Sequence, residues 1–131
     1  MKSPASLSLP AFTARVVKGS GRGRIIGSPT LNLSLSDVPR PLECGIYACR
    51  VRWNRHTAGA AMHFGPRPVF RAGIACEVHV IGLTIRRAPP RIEVEVVKRL
   101  RNIEHFQSVE LLQEQIARDI EQTKRLINGG K

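Results

Sequence analysis

The stretch ACEVHVIGL, Ala75 to Leu83, decides the fold. Read as a strand, it puts Cys76, Val78 and Val80 on one face and Glu77, His79 and Ile81 on the other. Its neighbours repeat the pattern. Upstream, GIYACRVRW (Gly45 to Trp53) is β-prone, Asn54–His56 makes a turn, and a further strand runs from Thr57 to Phe64. Near the N-terminus, Phe12, Ala14 and Val16 alternate with Thr13 and Arg15, giving a strand from Phe12 to Lys18. Downstream, RRAPPR breaks the pattern and Ile92 to Leu100 resumes it. DVPRPLE and GPRPVFRAG read as connections, broken by proline and glycine. Short strands with frequent turn signals predict an antiparallel barrel or sandwich.

After Phe106 the period changes. Ser108 is a good N-cap, and Val109, Leu112, Ile116, Ile120 and Ile127 form a helical stripe. Asn128-Gly129 provides the stop, so one amphipathic helix of about five turns is expected against the sheet.

A chain of 131 residues with 42% hydrophobic content can bury one core, and one domain is expected. The domain proper should span 12–131, with 1–11 as an extension. No apolar run approaches the roughly 20 residues that cross a bilayer, and MKSPASLSLP lacks the apolar segment of a secretory signal. A cytoplasmic location without membrane association is therefore expected. Cys44, Cys49 and Cys76 form no CxxC pair, which predicts buried structural thiols. The net charge of +11 lies wholly in the first hundred residues, because 101–131 carry equal numbers of acids and bases. Such a surface attracts phosphates without saying whose.

Three places could carry chemistry. GSGRGRIIG, Gly19 to Gly27, lacks the Gly-Lys-Ser/Thr ending of a Walker loop. Its glycines suit either a flexible basic loop or a cradle of converging N–H groups. In SPTLN, Thr30 and Asn32 lie two residues apart. They either bond their own backbone in a turn or, in extended chain, offer two neutral oxygens to a metal shared with substrate phosphates. Glu77 is either an outward-facing strand glutamate or a general base that activates a hydroxyl. His79 is its neighbour or a surface residue.

Taken together, GxGRGRxxGxPTxN, GIYACRV, FGPRPVF, CEVHVIGL and RLRNIEHFQSVELLQEQIARDI resemble the riboflavin kinase family, from about Phe12 to Leu126. The resemblance implies a mainly β fold, a six-stranded antiparallel Greek-key barrel with a C-terminal α-helix. It implies transfer of the ATP γ-phosphate to the 5′-hydroxyl of riboflavin, giving FMN and ADP. It also assigns roles: Glu77 as catalytic base, Thr30 and Asn32 as the pair holding Mg2+ (Zn2+ or Mn2+ being alternatives), and Gly19, Arg24, Val80 and Gly82 at ATP. Arg101, Glu104 and Phe106 fall on the flavin segment. Riboflavin/FMN and ATP/ADP are thus the expected partners of a monomer.

The family's Asp-Leu-Tyr-Gly element is Arg86-Arg87-Ala88-Pro89 here, and the glutamate two residues after Leu-Arg is Ile103. The His-x-Gly-His motif of the adenylyltransferase domain often fused to this one does not occur, so the chain is expected to stop at FMN. The competing reading is a non-catalytic flavin- or nucleotide-binding relative. A nucleic-acid-binding barrel is not expected, since the aromatic content is 5% and no stacking residues interleave with the basic ones.

Overall fold

A sheet whose strands alternate apolar and polar residues must fold back on itself, or under a helix, to bury its apolar face. Here it does both. The computed structural model describes residues 9–18, 30–66 and 73–129. Its strands are β1 (Ala11–Val17), β2 (Thr30–Leu33), β3 (Gly45–Trp53), β4 (His56–Pro66), β5 (Ile74–Val80) and β6 (Arg91–Arg101), followed by helix α1 (Val109–Gly129). They close an antiparallel barrel in the order β1-β2-β5-β4-β3-β6. This is the mainly β Greek-key architecture expected from the sequence.

Each strand sends alternate residues inward. Ala14, Leu31, Cys49, Met62, Val78 and Ile92 come from six different strands and meet in one core cluster. Strand ends differ from the sequence reading by up to three residues. The largest change is at β5, which stops at Val80 because Gly82 turns the chain with φ 81. Thr30–Leu33, open between turn and extended chain in sequence, is a strand that bridges β1 and β5. Four residues carry too short a period to identify, so the pairing on both sides defines it. Cys49 and Cys76 are buried as expected, and burial pushes the Cys76 thiol up to about 12. Cys44 is exposed, contrary to expectation, because it sits in the connection before β3.

Register shifts between β3 and β6 fall at Ile46/Tyr47 and at Ala48/Cys49, leaving Leu100 and Val97 as extra residues on β6. Bulges of this kind bend a strand and sharpen its twist, which helps a six-stranded sheet close.

α1 starts where the sequence placed it, with the Ser108 hydroxyl accepting the Leu111 N–H at 3.2 Å. It runs for 21 residues and packs on β3 and β4. Leu112 and Ile116 are buried, and Val109, Ile120 and Ile127 are half-buried. Asp119 and Thr123 are also buried. Arg101 donates from Nε and Nη2 to the two Asp119 carboxylate oxygens at 3.0 and 2.8 Å. Gln115 adds a third donor to Asp119 at 3.1 Å, and the Thr123 hydroxyl donates to the Asp119 carbonyl at 2.8 Å. The end of β6 is thereby tied to the middle of α1.

Two outcomes follow from burial on this side of the barrel. Arg101→Met removes one partner of a pair whose carboxylate is 5% exposed. An uncompensated buried carboxylate costs about 3 kcal/mol or more, so urea unfolding should show a loss of that order. Asp119→Asn, which keeps hydrogen-bonding capacity, should cost less. The second outcome concerns His79, which is 5% exposed and not the surface residue that was one sequence reading. Burial lowers its pKa from 6.5 to about 4, with Glu77 opposing, His63 reinforcing and Asp119 opposing that shift. The unfolded chain therefore takes up this proton first on acidification. The stabilisation is complete above pH 6.5 and fades toward pH 4, by roughly 3 kcal/mol in total. In urea titrations from about pH 7 to about pH 4.5, His79→Asn should flatten the pH slope of stability.

Candidate active site

Because β2 sends Leu31 and Leu33 into the core, it turns Thr30 and Asn32 to the outer face, both half-buried. β5 likewise buries Cys76, Val78 and Val80 inward and turns Glu77 and His79 outward. The registers bring these outer residues together. Thr30 lies opposite His79 and Asn32 opposite Glu77, while across β5 His79 faces Ala61 and Glu77 faces His63. One row across the wall thus reads Thr30, His79, Ala61, and the next reads Asn32, Glu77, His63.

The side chains in these rows are set by hydrogen bonds. Thr30 Oγ1 lies 3.3 Å from His79 Nδ1. His63 Nε2 lies 2.8 Å from the Pro66 carbonyl. A carbonyl only accepts, so His63 Nε2 carries the proton. Glu77 is half-buried, with Asn32 opposite it on one side and His63 on the other. Among the described residues, no three His, Cys, Asp or Glu side chains cluster as a metal-binding group. Thr30 and Asn32, the pair expected at a cation, offer neutral side-chain oxygens two residues apart on the outer face.

The remaining expected site residues distribute as follows. Gly19 and Arg24 lie outside the described residues. Val80 points into the core, so only its backbone faces the edge of the wall. Gly82 is exposed with φ 81, a conformation that favours glycine, and a Cβ there would meet none of the described residues within 4 Å. Arg86, Arg87 and Ala88 are exposed in the same connection. In the segment after β6, Glu104 is exposed and Phe106 half-buried. Arg101 is turned to α1 and spends its donors on Asp119 and on the Asn102 carbonyl at 3.0 Å. That arrangement makes it a tie for the segment.

Sequence reasoning missed His63 and Asp119. His63 carried no distinguishing signal within its strand. Asp119 did, since it continues the Leu112–Ile116 stripe three residues on, where a solvated carboxylate does not belong.

On the opposite wall, β1, β3 and β6 form an open groove of about 250 Å³ lined by Phe12, Arg50, Arg52, Glu93 and Glu95. Arg50 pairs with Glu95 at 3.7 Å and Arg52 with Glu93 at 3.2 Å. The cations there are offset by β6 carboxylates, so this face does not concentrate the chain's positive charge.

The Flavokinase family model, described as riboflavin kinase, matches residues 9–127. The bifunctional riboflavin kinase/FMN adenylyltransferase of Buchnera aphidicola (subsp. Schizaphis graminum) is 32% identical over 123 residues. That alignment covers 90% of this chain and 39% of that protein. A solved structure described as a macrolide-efflux protein from Streptococcus pneumoniae matches with TM-score 0.74 and 30% identity, covering 87% of this chain and 38% of that one. The riboflavin kinase of Trypanosoma brucei shares the fold with TM-score 0.62 and 19% identity, over 90% of this chain and 79% of that one. This chain therefore spans about two-fifths of the longer proteins it resembles. No described helix is long and apolar enough to cross a membrane. The match over residues 9–127, on a closed six-stranded antiparallel barrel with a C-terminal helix, shows that the chain belongs to the riboflavin kinase family.

Proposed function

We propose that this domain transfers the γ-phosphoryl group of ATP to the 5′-hydroxyl of riboflavin, forming FMN and ADP. The observation that carries the reading is the register that sets Glu77 beside Asn32, with Thr30 two residues away on the same outward face. A base and two neutral oxygens on one rigid wall are what in-line phosphoryl transfer requires, since that chemistry depends on positioning and charge neutralisation. Thr30 and Asn32 would hold Mg2+, which, when bound, offsets the charge of the ATP phosphates.

Glu77 accepts the proton of the ribityl hydroxyl as its oxygen bonds to the γ-phosphorus, and the bond to the ADP oxygen breaks. Asn32 and His63 flank Glu77 and limit its movement. The edge beyond Val80 and Gly82 leaves room for the nucleotide, with Gly19 and Arg24 of the glycine-rich loop assigned to its phosphates. Phe106 and Glu104 are the side chains offered to the flavin. Arg101 holds their segment through Asp119.

Incubation with riboflavin, ATP and Mg2+, followed by chromatography, should yield FMN, and its absence would leave a binding-only relative. Glu77→Gln keeps the shape but removes the base, so turnover should fall by roughly 10²–10⁴ with stability unchanged. Thr30→Val and Asn32→Leu should each raise the Mg2+ concentration needed for half-maximal rate while leaving flavin affinity alone. Unchanged Mg2+ dependence in both variants would remove the metal assignment.

A further inference from the structure

The Thr30–His79 contact raises a question of proton placement. A threonine hydroxyl has one proton and two lone pairs. If its oxygen ligates a cation, the proton must go to an acceptor elsewhere. His79 is directly opposite Thr30 in the β2–β5 register, and its Nδ1 is the ring atom 3.3 Å from Thr30 Oγ1. The ring is held in place, being 5% exposed between Thr30 on one side and Ala61 on the other.

We infer that His79 is a positioning residue for the cation. Its unprotonated Nδ1 accepts the Thr30 hydroxyl proton, so that the ring does not occupy an oxygen lone pair that the metal would use. The opposite tautomer would donate Nδ1–H into one of those lone pairs and compete with the cation. The inference rests on the assignment of Thr30 as a ligand in the proposed function. It adds a requirement that assignment lacks: the ring must be the Nε2–H tautomer. A space-filling role for His79 makes no such demand.

The tautomer can be read in the unaltered protein. Long-range 1H–15N spectra of histidine-labelled chain, with the His79 signals identified by their loss in His79→Asn, should show an unprotonated Nδ1. A protonated Nδ1 would overturn the inference. Binding supplies a second reading, by calorimetry with ADP and Mg2+ against ADP alone. Asparagine can put its amide oxygen where Nδ1 lies, whereas glutamine reaches the Nε2 position. His79→Gln should therefore weaken the Mg2+-dependent binding about 3- to 10-fold, the loss of one net hydrogen bond, while His79→Asn retains most of it. Metal-free ADP binding should be the same in both. Equal effects of the two substitutions, or none from either while Thr30→Val weakens binding, would overturn the role of His79 alone. No effect from Thr30→Val would overturn the ligand assignment, and this inference with it.

Discussion

Ile46, Ala48 and Ala61 sit on the outside of the barrel yet are as buried as residues within it, because α1 lies across β3 and β4. That contact makes part of the barrel wall two-sided. Ala48 is fully buried and Ala61 2% exposed, and their small side chains let the helix approach closely. Inside the barrel, the same strands supply Tyr47, Cys49, Ala60 and Met62. Strands buried on both faces lose the clean alternation of a half-solvated sheet, and HTAGAAMHFGP in β4 shows it. Apolar burial on two faces also fixes register, since a one-residue slip would exchange the barrel core for the helix seat.

Fixed register is what makes the outer wall a site. The proposed chemistry needs Glu77, Asn32 and Thr30 held at constant separation, and each is mounted on a strand whose alternate residues are locked in the core. His79 and His63 are buried polar groups in this wall, and each has a hydrogen-bond contact. The buried His79 imidazole stays neutral, because burial outweighs the opposing attraction of Glu77 and Asp119.

The Arg101–Asp119 pair serves a different purpose. Burying both charges gains little net stability over a well-packed apolar pair, but it matches one strand end to one helical position. α1 could otherwise slide by a turn over the small residues beneath it. Gln115 and Thr123 complete the match, and the chain that leaves β6 toward Phe106 is anchored at its first residue.

The sequence by itself determined five of the six strands and the helix with its cap, and through the family motifs it singled out a candidate base and metal pair. Those features are local: alternation at 75–83, a 3.6-residue stripe after Ser108, glycine and proline at turns. It did not determine that Thr30–Leu33 is a strand, that His79 is buried, or that Arg101 is taken up by Asp119. Each depends on a partner distant in the chain: β5 for Thr30, β2 and β4 for His79, and the middle of α1 for Arg101. Four residues have no period of their own, and an alternating strand does not say whether its outer face meets water or another element. Only closure of the barrel and docking of the helix settled those points, because burial and pairing are properties of the whole packing.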